Sequence, residues 1–415
     1  MPQTPPYALT PAQRPQRPEN TLGLDYEREL AALSARQAGP TGLMPPIIDI
    51  HNHINGVEAP RIYARVMRAA NISHAFTMVR IDEAHTVRRV MREAYPMHGG
   101  QANSEPSMTS STTSITTPGT SLDESPDRVH FIAFPNFRQE NRARAFGEGF
   151  LTDIARFHAE LGSRCIKLWN APRLYEVLPR EQWGELIPFD APWRVRHVEL
   201  AQQLGMGIMV HVADPDTWFA TKYNDASTFP PKPEHYKPLE RMLDRFAGPW
   251  IAAHLGGWPE DLAFLDGLLS RHPNLWLDTS ATKWIVRELS KHPKGRVLDF
   301  LHKFRGRICF GSDIVTTDEH LAPHPSGTTH PMGALADSPE SAHDLYASRY
   351  LALRLMFETD YEGQSPIADP DLRMVDPSIT SPLAAPPLRG LALPPDMLDD
   401  LYRRASRAFL RGVGL

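Results

Sequence analysis

Ile47-Ile48-Asp49-Ile50-His51-Asn52-His53 is the stretch on which the fold turns. Three isoleucines in its first four positions suit a strand buried on both faces, as in a parallel sheet. Successive strand side chains alternate faces, so Asp49, His51 and His53 are expected to point the same way. The two histidines then sit at the C-terminal rim of the strand. Two imidazoles spaced i, i+2 can clamp one divalent ion if a neighbouring carboxylate or carbonyl fixes their tautomers. Asp49 lies roughly 6.6 Å deeper along the strand, placed to orient a histidine or to bind a second ion. Alone, the pattern also fits two histidines in a polar turn.

Seven further apolar runs follow, at 72–79, 129–134, 165–169, 207–212, 250–254, 275–278 and 308–310. Segments with helical spacing separate them, at 59–70, 83–95, 149–161, 193–204, 238–246, 259–270 and 291–304. Strands alternating with helices imply βαβ units, and eight of them are the count of an α/β (β/α)₈ TIM barrel. A doubly wound sheet is the alternative, but it leaves the polar residues described below unexplained. Residues 394–410 read as a closing amphipathic helix with Pro at its start.

The 415 residues hold 44 Lys and Arg against 49 Asp and Glu, a net charge of −5 that gives no reason to expect a nucleic-acid partner. No apolar run approaches the roughly 18 residues of a membrane span. Cys165 and Cys309 are too few for a disulfide scaffold or a cysteine zinc cluster; they fit buried hydrophobes in a reducing, cytoplasmic compartment. Six prolines and no apolar core in residues 1–20 argue against a secretory signal and for an extended, poorly ordered arm. Thirteen of residues 98–127 are Ser or Thr, which predicts a disordered insertion. The expected organisation is an arm and short helix over 1–44, then a single domain over 45–415. That domain carries the insertion and a C-terminal extension over 345–415.

Polar residues recur at the strand ends. Lys167 sits inside the fourth run, His211 ends the fifth, His254 ends the sixth and Asp313 follows the eighth. Barrels keep their active sites at that rim. A lone histidine at a strand end is more often a satisfied core residue; recurrence on several strands favours a site. The ordered set Asp-x-His-x-His, strand-four Lys, strand-five His, strand-six His-x-Gly-Gly and strand-eight Ser-Asp resembles the amidohydrolase superfamily, within it the amidohydrolase-related barrels that hydrolyse or decarboxylate. The likeness covers residues 45–320 and the closing helix.

That resemblance implies a catalytic metal held by His51, His53, His211 and Asp313, with His254 facing the substrate or a second ion. Lys167 would be a carbamylated bridge between two ions or a cation for a substrate carboxylate. The ion would be divalent, Zn first, with Mn or Fe also suited to these ligands. It would lower the pKa of water to about 7. Asp313 would steer that water and return its proton, and His254 would stabilise developing charge. Trp169, Asn170, Arg173, Trp218, Lys222, Tyr223 and Trp258 fall on rim loops and could wall a pocket for an aromatic or carboxylate-bearing molecule. Packing of those loops on the barrel explains each singly as well. Gly256-Gly257 suggests a tight turn or close backbone approach. The expected partner is a small-molecule substrate, without nucleic acid or membrane, and a homodimer is left open. A metal-dependent hydrolase of C–N or C–O bonds is the leading reading. A metal-dependent decarboxylase (carboxy-lyase) is the runner-up, and a non-catalytic binding protein or a nuclease is weaker.

Overall fold

A computed structural model describes residues 14–37, 45–97, 122, 125–136, 142–324 and 333–415. Eight strands make the central sheet: β1 (Ile47–Ile54), β2 (Ile72–Met78), β3 (Val129–Ile132), β4 (Cys165–Trp169), β5 (Gly207–His211), β6 (Trp250–Ala252), β7 (Leu275–Asp278) and β8 (Ile308–Cys309). Their β-branched and aromatic residues suit a sheet covered on both faces. Pairing is parallel throughout, in two arcs, β1–β3 and β4–β8. Ala133 joins the arcs: its N–H donates to Cys165 O at 2.9 Å and its carbonyl accepts from Lys167 N at 2.8 Å. At the opposite seam Ile50 N donates to Phe310 O at 3.0 Å. The hydrogen bonds therefore run around a ring, the expected (β/α)₈ barrel.

Helices cover the outside: α1 (Tyr26–Gln37), α2 (Ala59–Ala69), α3 (Ile81–Ala94), α4 (Glu148–Leu161), α5 (Pro192–Gln203), α6 (Tyr236–Arg245), α7 (Leu262–Arg271), α8 (Thr282–Lys291), α9 (Lys294–Lys303) and α10 (Pro339–Glu358). Two apolar layers result. Ile47 packs in the layer between sheet and helices, while Ile48, Ile50, Met209, Ile251 and Cys309 fill the barrel. The closing helix α11 (Ala405–Arg411) stoppers the barrel floor with Phe409 and Leu410. Gly207 makes room for it, since a Cβ there would lie 2.7 Å from Phe409 Cζ. Cys165 and Cys309 are buried and unpaired, and burial pushes the Cys165 thiol up to about 12.

β1 does not keep a strict two-residue alternation. Asp49 pairs with Ala75 but Asn52 pairs with Thr77, three steps against two. The extra residue is a bulge, which switches the face shown by everything beyond it. Asp49 therefore faces the helix layer, whereas His51 and His53 point into the mouth. The expectation of one shared face for all three is corrected accordingly.

The arm and insertion also differ from expectation. Residues 1–13 lie outside the described residues, but the chain from Arg14 onward is docked. Arg14 Nη1 donates to Asp344 Oδ1 at 2.8 Å and Asn20 Nδ2 to Asp344 Oδ2 at 3.1 Å. Glu19, Asn20 and Thr21 are buried. Within the expected insertion, 98–121, 123 and 124 lie outside the described residues, but Leu122, Ser125 and Asp127 are buried. Among the described residues no helix is long and apolar enough to cross a membrane.

Candidate metal centre

The end of β7 fixes the end of β1. His51 is fully buried, and its Nδ1 lies 2.8 Å from Asp278 Oδ2. The other Asp278 oxygen accepts from His254 N at 2.8 Å, Ser280 N at 3.0 Å and the Ser280 hydroxyl. Burial alone would raise the Asp278 carboxyl, but His51, His254 and Lys167 outweigh it and hold it well below the usual carboxylate range. This bonding assigns the His51 proton to Nδ1 and leaves Nε2 as a lone pair facing the mouth.

Around that lone pair three donor atoms converge. His51 Nε2 and His53 Nε2 each lie 3.4 Å from Asp313 Oδ1, and the three atoms are within 4.8 Å of one another. At 3.4 Å these pairs exceed the ordinary hydrogen-bond range. They match ligands on a shared tetrahedral ion, which with bonds of about 2.1 Å stand about 3.4 Å apart. Two neutral imidazole nitrogens and a carboxylate also suit a divalent ion chemically. Burial would raise the Asp313 carboxyl, but the neighbouring His53, His254 and His51 outweigh it and hold it far below the ordinary range. Lys167 Nζ sits 3.0 Å from His51 Nε2 and competes for its lone pair. Burial pushes this amine down to about 8, against the pull of Asp278 and Asp313. A second group of donors, His51, His254 and Asp278, is also close-set. There the Asp278 oxygens already accept four hydrogen bonds, so it works as an orienting network.

Asp313 is delivered by strained backbone, with φ +57°. Its N–H donates to His51 O at 2.8 Å. Beside it, Ser312 Oγ donates to Asp49 Oδ2 at 2.6 Å and Ser312 N to Asp49 Oδ1 at 3.1 Å. Asp49 also accepts from Tyr350 OH at 2.7 Å and from His51 N at 3.1 Å. It thus pins the loop carrying Asp313 rather than orienting an imidazole or offering a ligand. Gly311 completes the fit, since a Cβ there would lie 3.1 Å from His51 Cβ and 3.3 Å from Ser280 Cβ.

His254 and His211 form a second row. His254 Nδ1 meets Ser280 Oγ at 2.8 Å, and its Nε2 meets His211 Nδ1 at 3.2 Å. His211 Nε2 lies 3.0 Å from Asp214 Oδ1, whose other oxygen accepts from Tyr223 OH at 2.8 Å. Both His211 nitrogens are therefore engaged, and the structure does not bring His211 into the donor group of His53 and Asp313. Burial, then the neighbouring His211, pushes His254 well down and keeps it neutral. The turn after β6 runs through positive φ at His254, Leu255, Gly256 and Gly257. A Cβ at Gly257 would fall 2.5 Å from Ala213 O, the close approach expected of the glycine pair.

Above Asp313 opens a cavity of about 730 Å³. Arg173, Trp218, Lys222 and Tyr223 line it, as expected of rim residues. Trp169, Asn170 and Trp258 do not. Trp169 stacks on Phe146, Asn170 donates to Ile187 O, and Trp258 stacks on Tyr236, so loop packing accounts for all three. The tryptophan wall is instead Trp218 and Trp284, 5.3 Å apart edge to face. Asp371 Oδ2 accepts from both indoles, at 2.9 and 3.1 Å. Trp284 also lies edge-on to His254 at 5.6 Å. Asp278, Ser280, Trp284 and Asp371 escaped the sequence reading. Asp278 had a signal, because it ends the seventh apolar run much as His254 ends the sixth.

No family model matches the chain, and no curated protein matches it. Solved structures do. A probable 2-pyrone-4,6-dicarboxylic acid hydrolase from Acinetobacter baumannii is 12% identical with TM-score 0.39, over 74% of this chain and 92% of that one. An amidohydrolase from Burkholderia multivorans is 12% identical with TM-score 0.37, over 88% and 99%. A 2,6-dihydroxybenzoate decarboxylase from Rhizobium is 12% identical with TM-score 0.36, over 73% and 99%. Likenesses at this level decide nothing about activity, which rests on the site's own groups.

Proposed function

We propose that this chain is a metal-dependent hydrolase of the amidohydrolase type, cleaving a C–N or C–O bond of a small molecule. The observation that supports it is the convergence of His51 Nε2, His53 Nε2 and Asp313 Oδ1 beneath a cavity of ligand size. These three would hold a divalent ion, Zn²⁺ or a relative, which when bound supplies Lewis acidity toward a carbonyl and acidifies water. Asp278 fixes the His51 tautomer so that Nε2 can ligate. Asp313, ionised and partly open to the cavity, can take a proton from water and deliver it to the leaving group. His254, its two ring nitrogens engaged by Ser280 and His211, holds the second row of side chains in place beside the donor group. The Trp218–Trp284 wall excludes water and orients a planar substrate.

The test is direct. Purified protein should carry about one equivalent or more of transition metal and lose activity when stripped by a chelator. It should hydrolyse members of a lactone and amide panel. Release of CO₂ from a carboxylate panel with no hydrolysis would move the assignment to the carboxy-lyase reading, which uses the same ligands. Absence of metal with no uptake on dialysis would end both.

A further inference from the structure

Beside the main cavity lies a second one, of about 260 Å³. Lys283 and Arg349 line both, so they form part of the wall the two cavities share. Both side chains are partly buried. Among the described residues neither forms an ion pair; Arg349 Nη1 donates only to Ser348 Oγ, at 2.9 Å. The surrounding carboxylates are otherwise committed. Asp369 is held by Arg287 Nη1 at 2.5 Å, Asp371 by the two indoles, and Glu19 by the Ser341 hydroxyl at 2.7 Å. Burial lowers both cations, Arg349 to about 10, and each also lies near enough to Asp369 to feel its charge. Partly buried cations left without a direct counter-charge are costly unless something completes them. Asp313, Trp218 and Trp284 line the larger of these two cavities as well.

We propose that Lys283 and Arg349 form a carboxylate-binding subsite, so that the substrate carries an anionic group away from the bond that is cleaved. This rests on the hydrolase reading for the meaning of the cleaved bond, but the binding itself does not require a metal. An arginine and a lysine side by side suit a carboxylate with one fork and one point charge. Trp218 and Trp284 line the same cavity as the two cations and Asp313, and their ring faces and edges suit an unsaturated or aromatic portion of the bound molecule. The substrate class is therefore an unsaturated acid with its carboxylate distal to a hydrolysable carbonyl.

Calorimetric titration with isophthalate, terephthalate and glutarate, each against its diamide, tests this. Inorganic phosphate serves as a further arm. The full-length protein is used with metal and after chelation. At least one dicarboxylate should bind at least about tenfold tighter than its diamide, in both metal states. Lys283→Gln and Arg349→Gln should each weaken it by about tenfold while metal content stays at the wild-type level. Lys283→Gln alone suffices should Arg349→Gln fail to fold. Phosphate binding equal to or tighter than every dicarboxylate would replace the carboxylate with a phosphate and overturn the substrate class. Equal affinity for dicarboxylates and diamides, or no dependence on either cation, would overturn the subsite. Loss of metal from wild type with dicarboxylate binding intact would instead remove the hydrolase reading and leave the subsite standing.

Discussion

With its two oxygens accepting four hydrogen bonds, Asp278 gives the His51 ring no freedom to turn. Asp278→Asn puts an amide N–H among those donors, and metal affinity should fall about 10–100-fold, read by titration with Zn²⁺. His53→Ala and Asp313→Ala each delete an atom of the converging group and should abolish stoichiometric metal. His211→Ala discriminates between two readings. The sequence pattern counts His211 as a ligand, whereas its engagement by His254 and Asp214 predicts that metal stays bound in the alanine variant; elemental analysis decides. The rim positions of His51, His53, His254 and Asp313 were legible because each ends or follows an apolar run. Which atom meets which was not, because it depends on Asp278, Ser280 and Asp214 crossing from other segments. Lys283 and Arg349 were invisible, lying on helices far apart in sequence.

Element boundaries followed the apolar runs closely: β4 and β7 begin and end where expected, at Cys165–Trp169 and Leu275–Asp278. The β1 bulge was not legible, since a single extra residue leaves no mark in composition. Nor was α10, of whose twenty residues seventeen are buried, because a helix covered on all sides shows no one-sided stripe. It matters to the site, since Tyr350 on α10 reaches Asp49. Burial pushes the Asp49 carboxyl up to about 6, with Ser312 and Tyr350 opposing. A value raised above the unfolded one means its stabilising share is complete below about pH 4 and is lost as pH rises through about 6. Asp49→Asn should therefore lower the melting temperature more at about pH 4.5 than at about pH 7.5, measured by thermal melts with chelator present.

On the scale of the molecule, segments outside the barrel count as much as the ring. Residues 1–44 read as an arm and 345–415 as an extension, yet the described residues of both bury side chains against the barrel or its helices. Proline-rich composition spoke for an extended, poorly ordered arm; it could not reveal that the segment from Arg14 would dock through Asn20 and Thr21. A deletion running through residue 126 removes buried Leu122 and Ser125 and should lower the melting temperature by several degrees. Phe409→Ala should cost roughly 3–5 kcal/mol in urea unfolding, because the ring fills the space left by Gly207.

That same ring has a kinetic corollary. Among the described residues the cylinder is filled by Ile48, Ile50, Met209 and Ile251 and corked at one end by Phe409 and Leu410, which leaves the opposite mouth for traffic. On the proposed function, product leaves by the mouth through which substrate enters, so added product should compete with substrate and turnover should slow progressively as product accumulates.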